Sequence, residues 1–446
     1  MAREGPFDLV LLGRNSVDAD TGQVPPQLAE LLDLPFLTGV RALEVVATDG
    51  STAVGGDRVR CTRLGLPGRA LWRGRGRRRA GGGGGWRRGS GGRWEVRAGC
   101  EHDDEWVEAT VALPAVLSVA ERLCEPSKVP PEGRAEVPAE RIRAVTADDL
   151  GPGPWGQAGS PTSVGEVRVL DVDRLGLRLE GPVESSVEKA VQVLVDRGAL
   201  EPGNVAEFSG EVVAHSPGGG PALAVVVEPD RAHITRELLG AAARLGHELD
   251  GRTVALGSEP GDPAALGSWG VHAVVVLDGA RVEEDVAVAV ASWADEVRPW
   301  AILGPGAAWG REVLSRVSAR LGAGLTGDAV GLAAEEGRLV AWKPAFGGKM
   351  VAAIHCSSPV QMATVRAGVL PLHEPAASPG TAGVGSPHPS PRTASRWPPE
   401  PARTTSTCWR TPIWSSGWAR ASTPSATASS IRCCARSAPS WRRPGR

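Results

Sequence analysis

Hydrophobic residues along much of this chain fall in short runs that alternate with stretches of helical period. Residues 7–13 (FDLVLLG) form a continuous apolar run ending in glycine, the pattern of a buried strand. Over 24–32 the spacing turns helical, with Pro25 and Pro26 in the first turn, where a missing N–H is tolerated. Residues 115–123 read as strand. Residues 183–198 have a helical period that puts Val187, Val191, Leu194 and Val195 on one face. A second series follows a flexible Ser-Pro-Gly stretch at 215–220. It predicts a strand at 222–227, an amphipathic helix at 235–245, strands at 253–256 and 272–277, a helix at 283–294 and a strand at 301–304. The next helix carries Val313, Leu314, Val317 and Leu321 on one face and Arg311, Glu312, Arg316 and Arg320 largely on the other. Gly322 and Gly324 end it. Strands at 339–342 and 351–354 complete the unit. This alternation predicts an α/β protein with mostly parallel sheets, in two units of nucleotide-binding type.

Two stretches break the pattern. Within 51–93 the run LWRGRGRRRAGGGGGWRRGSGGR has no apolar period and cannot form a core. It is either an Arg/Gly arm that stacks Trp on nucleic acid, or an insertion or a stretch read in the wrong frame. The second reading is favoured, because the basic patch is isolated in a neutral chain. After Leu372 the chain becomes Pro/Ser/Thr/Arg-rich without period, a composition that predicts disorder.

With 446 residues there is room for two or three domains. The 49 basic and 51 acidic residues nearly cancel, so no global field favours nucleic acid or an anionic membrane. The start has no long apolar core of a signal peptide, and no run approaches the roughly 18 apolar residues of a spanning helix. The expected compartment is cytoplasmic, with no membrane insertion and no nucleic-acid partner. The 7 cysteines include no C-x-x-C pair, which argues against a zinc site or a disulfide framework. The chain has 15 tryptophans and no tyrosine. Many of the tryptophans lie in the two aberrant stretches, an unusual composition for a folded domain.

Candidate chemistry centres on the polar loop between the first strand and the first helix. Backbone N–H groups at such a helix start suit a phosphate. Thr21 and Gln23 add donors, and Gly22 lets the backbone approach closely. The alternative is an ordinary strand-to-helix loop with an Asp cap. His102-Asp103-Asp104 could suggest a metal, but no second histidine lies nearby, and an exposed turn is expected. No constellation of acid–base residues is present, so no catalytic residue is assigned.

Several motifs in one order carry a resemblance. Gly310-Arg311-Glu312, Arg316 to Leu321, Gly324-Leu325-Thr326-Gly327-Asp328, Pro344-Ala345-Phe346-Gly347-Gly348 and Gln361 to Arg366 resemble the first domain of the alpha subunit of electron transfer flavoproteins. Leu12 to Asp18, Asp20 to Val24 and residues 28–34 resemble the AMP-binding stretch of the beta subunit. So do residues 95–108, 111–116, Glu125-Pro126 and Gly159-Ser160-Pro161-Thr162. The resemblance implies an AMP-type loop formed by Gly13, Asn15, Ser16, Asp18, Asp20, Thr21, Gly22 and Gln23. Arg14-Asn15 stands where the family usually has Lys-Gln, which keeps the charge but shortens the amide. Residues 127–137 depart from the family's partner-docking segment, which puts partner choice in doubt. Met1 falls where the beta subunit is already well into its fold. Either another chain supplies the first strands, or the start codon is misplaced, or this domain is incomplete.

The implied organisation is a beta-like α/β domain at 1–50 and 94–170, a low-complexity insertion at 51–93, and a linker and docking segment at 171–220. An alpha-like first domain at 221–372 and a disordered tail at 373–446 follow. The implied function is an electron carrier rather than a substrate-converting enzyme, with FAD and AMP as cofactors. It would pass electrons from flavin-dependent, acyl-CoA-type dehydrogenases of fatty acid oxidation to a quinone oxidoreductase. Read with GC-rich codons in a shifted frame, 403–446 can give a strand, a Gly-x-Gly-x-Gly loop and an amphipathic helix, similar to the opening of the family's FAD domain. A frameshift between about residues 372 and 403 is therefore expected, and with it a chain that, as written, lacks the FAD site. A non-redox AMP-binding module is the alternative.

Overall fold

The computed structural model describes residues 7–47, 94–103, 105–126, 128–134, 137–170, 176–197, 210–213, 215–377, 383–385 and 411–412. The expectations for 51–93, and most of those for 373–446, fall outside the described residues.

The first half is built on β1 (Leu9–Gly13), α1 (Val24–Leu32), β2 (Phe36–Ala47), β3 (Trp94–Glu101), β4 (Glu105–Ala112) and β5 (Ala115–Val119). Their sheet order is β1-β5-β2-β3-β4. β1, β5 and β2 run parallel, whereas β2, β3 and β4 are antiparallel. The sheet is mixed because only a short turn, and no helix, separates β3 from β4, and a short turn returns the chain antiparallel. One face buries Val10, Ala29, Leu34, Phe36 and Val116 beneath α1. The other buries Val40, Val96, Cys100, Val111 and Leu117. β1 lies at an edge with Leu11 exposed. Beyond this sheet come the single-turn α2 (Ala147–Leu150), β6 (Thr162–Val169) and α3 (Val183–Asp196). The apolar face expected on α3 is present, but Val183, Val187, Val191, Leu194 and Val195 are all exposed.

The second half runs β7 (Ala222–Val226), α4 (Ala232–Glu248), β8 (Arg252–Gly257), α5 (Pro263–Ser268), β9 (Ala273–Val276), α6 (Glu283–Val297), β10 (Ala301–Pro305), α7 (Ala308–Leu321) and β11 (Gly324–Ala329). Then follow β12 (Gly331–Glu335), β13 (Arg338–Ala345), β14 (Met350–Cys356) and β15 (Gln361–Val365). Strands β11-β15-β10-β7-β8-β9 form a parallel sheet, as the alternation predicted. Its central strands β7 and β10 are buried on both faces, which explains their unbroken apolar runs. Leu238, Leu239 and Leu245 of α4 cover one face. Val286 and Val290 of α6, with Val313, Leu314 and Val317 of α7, cover the other. Each fully buried Leu, Ile or Val contributes about 1.5–3 kcal/mol. Helix α5 escapes the periodicity because it is short. Pro263 starts it, and Asp262 caps it by accepting from Ala265 N at 2.9 Å.

A third, antiparallel sheet joins the halves. Its order is β12-β13-β14-β6. Strand β6 of the first half pairs with β14 of the second, Met350 opposite Val169 and Cys356 opposite Thr162. Two short strands of the C-terminal stretch also pair with the body, Gly383–Gly385 on β9 and Thr411–Pro412 on β4.

Candidate functional site

The polar loop between β1 and α1 lies at the seam of the two halves. Arg14 N donates to Val119 O at 3.1 Å, which carries the β1–β5 pairing one residue into the loop. Asp20 N donates to Ser16 O at 3.0 Å, closing a turn. The Ser16 hydroxyl hydrogen-bonds the exposed Asp18 carboxylate and holds its pKa below the usual carboxylate value. Gly22 has φ of 63°, and a Cβ there would sit 2.8 Å from Asn15 Oδ1. Glycine thus gives this loop both its left-handed turn and room for the Asn15 amide. The Asp cap of the alternative reading is absent. The N-cap of α1 is Gln23, with no side-chain cap bond, and its amide Nε2 reaches across to donate to Leu325 O at 3.2 Å.

That bond is one of several by which the second half grips the loop. Phe346 N donates to Asp18 O at 3.0 Å, and Lys343 Nζ donates to Ala19 O. Burial pushes the Lys343 pKa down, while Asp328 and Asp20 oppose that shift. Thr21 and Gln23 pack on Gly327 of β11. A Cβ at Gly327 would meet Gln23 Nε2 at 2.7 Å and Thr21 Cβ at 3.0 Å, so the close approach requires glycine there.

Behind the loop, α1 packs on α7 through a charged cluster. Arg316, with a side chain only 2% exposed, meets Glu30 at 3.1 Å, Glu284 at 3.0 Å and Glu312 at 3.0 Å. Its guanidinium also sits 5.6 Å from the Phe36 ring centroid. Arg320 pairs with Glu30, and Gln27 Nε2 donates to Ser318 Oγ at 2.9 Å. The polar face of α7 therefore turns to the first half rather than to water. Three carboxyl groups share two guanidinium groups. Glu30 meets both arginines and Glu284 is more open. Glu312 has only a share of Arg316, and burial raises its pKa to about 8. The His102 turn also contributes to the seam. Asp103 Oδ2 accepts from Ala308 N at 2.9 Å and so caps the start of α7, where Ala307 offers no side-chain bond.

Between loop and helix lies a cleft lined by Arg14, Asn15 and Gly22 of the loop, Pro26 of α1, Phe36 and Thr38 of β2, and Ala308, Arg311 and Glu312 of α7. Of the expected site residues, Asn15 and Gly22 reach this cleft. Asp18 lies toward Phe346 and Lys343, and Thr21 and Gln23 lie against β11. Gly13 ends β1, and Ser16 and Asp20 stabilise the turn. Sequence reasoning missed Phe36, Thr38, Arg311 and Glu312 as lining residues. The available signal was the charged face of α7, which only packing could place.

Two α/β halves of nucleotide-fold type, closed on each other over a strand-to-helix loop, define the class of this protein. Comparison with known proteins narrows it. Residues 225–386 match the electron transfer flavoprotein domain. Protein FixB of Clostridium saccharobutylicum is 36% identical over 152 residues, 32% of this chain and 45% of that relative. The electron transfer flavoprotein subunit alpha of Thermoanaerobacterium thermosaccharolyticum is 38% identical over 109 residues, 23% of this chain and 33% of the relative. The beta subunit from the same species is 25% identical over 197 residues, 44% of this chain and 58% of the relative. The chain is electron transfer flavoprotein-like, with beta-like and alpha-like parts. It spans about half or less of the first two relatives and 58% of the third.

A flavin is the group this family implies. The donors around the cleft are two guanidinium groups, an amide and a hydroxyl, with Phe36 as the one aromatic ring. That ring already carries Arg316. This set fits a phosphoryl group or a sugar, and it forms no slot for an isoalloxazine ring. Among the described residues no flavin site is assigned.

Proposed function

We propose that this protein is an electron transfer flavoprotein-like carrier, working between flavin-dependent dehydrogenases and a quinone oxidoreductase, in which residues 13–23 hold an adenine mononucleotide. The observation that supports this reading most is the grip on that loop. Its backbone is held from the alpha-like half by Lys343 and Phe346, and its Gln23 side chain bonds Leu325. In such an arrangement the nucleotide is a structural clamp and not a reactant. FAD would supply the redox chemistry of the carrier. As written, residues 373–446 contain no flavin-binding motif, so the chain in this form is proposed to be defective in FAD binding. The proposed domains are those given above, with the beta-like part ahead of the alpha-like part, and the proposed compartment is the cytoplasm.

The second reading is an AMP-binding module without redox activity. The donor set of the cleft, which suits a phosphoryl group and not a flavin ring, favours it. One experiment and the gene sequence together separate the two. The purified 446-residue chain is examined for flavin absorbance and for bound nucleotide released on denaturation. It is then mixed with a reduced acyl-CoA-type dehydrogenase. Flavin absorbance that bleaches on mixing supports the carrier. AMP without flavin fits both the module and a carrier that is defective in FAD as written, and the gene sequence then separates them. Neither flavin nor nucleotide refutes both. Resequencing the gene across codons 372–403 decides whether a flavin domain follows in another frame.

A further inference from the structure

The cleft is made by both halves, and the second half brings a cation to it. Arg311 leaves α7 one turn after its start, next to the loop. Its Cδ is 4.0 Å from the position a Cβ on Gly22 would take. Its Nε is buried and has no hydrogen-bond partner. Its ion pair, with Asp328 Oδ1, is long at 3.8 Å, and Asp328 is already clamped by Arg366 through Nε at 3.0 Å and Nη2 at 2.5 Å. A buried guanidinium nitrogen without an acceptor costs free energy until one arrives. Arg14 faces the same cleft from the loop, with Asn15 beside it. Two arginines and an amide lining one cleft supply the charge and the donor types that a phosphoryl group requires. The carboxyl group on the lining, Glu312, is turned to Arg316 and is held by it at 3.0 Å.

The geometry points to a composite phosphoryl site in which Arg311 of the alpha-like half and Arg14 of the beta-like half grip one phosphate group across the seam. This rests on the nucleotide reading of the loop and extends it. The nucleotide is held by both halves, and its occupancy locks them together. Arg311 supplies the acceptor-seeking Nε that the loop alone lacks. A free phosphate and the phosphate of a mononucleotide share this chemistry, so the test carries both.

The experiment is isothermal titration of the full chain, stripped of bound nucleotide, with AMP, adenosine and inorganic phosphate. Wild type is compared with Arg311→Gln and Arg311→Lys. For the wild type, AMP is expected to bind more tightly than adenosine. Arg311→Gln should weaken AMP roughly tenfold to hundredfold and leave adenosine unchanged, as loss of a charged hydrogen bond predicts. Arg311→Lys should fall between, since it keeps the charge and loses the fork. Phosphate binding that is lost in Arg311→Gln supports the site with free phosphate as its ligand, even if AMP and adenosine bind alike. AMP binding that is equal in wild type and both variants overturns the role of Arg311 and leaves the nucleotide loop standing. A wild type that binds none of the three overturns both. A thermal melt of each unliganded variant guards against misfolding. If Arg311→Gln unfolds, the Lys variant decides: AMP affinity equal to wild type overturns the proposal, and a several-fold loss supports it.

Discussion

Substituting Glu312→Gln should abolish a pH dependence of stability that the wild type owes to its charged seam. Glu312 Oε1 accepts from Arg316 Nε at 3.0 Å, and its side chain is 12% exposed. Burial raises its pKa from 4.5 to about 8 against the pull of Arg316, with Glu283 and Glu284 adding to the rise. The folded protein therefore binds a proton that the unfolded chain releases above pH 4.5. Stability from this group is complete below that pH and is lost as pH rises through about 8. At about 1.4 kcal/mol per pH unit the full shift corresponds to ~5 kcal/mol. Relaxation around the partly open carboxyl reduces this to roughly 2–4 kcal/mol. The variant keeps an oxygen that accepts from Arg316 and has no proton to lose. Urea midpoints measured from about pH 5 to pH 8.5 should fall for the wild type and stay flatter for Glu312→Gln. Burial lowers the pKa values of His102 and His272, so both histidines work in the opposite direction, and Glu284, also raised by burial, works with Glu312. All three are present in both proteins, so the difference between the two profiles reports Glu312 together with its coupled neighbour Glu284 on Arg316. Parallel profiles would show that Glu312 is ionised in the native seam and would refute the assignment.

Removing the guanidinium at the centre of the seam should be costly. Arg316→Ala leaves Glu30, Glu284 and Glu312 without their shared cation and should destabilise by about 3–5 kcal/mol in a urea titration. A double-mutant cycle with Glu30→Gln should give a coupling above ~0.5 kcal/mol, and strict additivity would mean the halves do not meet through this pair. Gly327→Val should press on Thr21 and Gln23, cost about 1–3 kcal/mol by overpacking, and weaken AMP in a titration. An unchanged AMP affinity would separate the loop from β11. Gly22→Ala places a side chain at φ 63° against Asn15, and should cost about 1 kcal/mol or more and lower nucleotide affinity.

The elements of this protein were largely local information. The apolar runs of β1, β7 and β10, the proline-started α1 and the one-sided faces of α4, α6 and α7 were visible in the sequence, because burial selects side chains with the period of each element. The loop between β1 and α1 was likewise visible, as a change of period around Gly22. The sequence did not show where the polar face of α7 points. A row of charges on a helix reads the same whether it faces water or the carboxyl groups of two other helices. Glu30 and Arg316 lie 286 positions apart and meet only because α1 packs on α7. The pairing of β6 with β14 and the capping of α7 by Asp103 are also contacts at long range. The loop's residue types came from the chain itself, and the cleft that they share with Arg311 came from the closure of one half on the other. Side-chain chemistry is written residue by residue, whereas a site between two halves exists only once packing has brought them within hydrogen-bond distance.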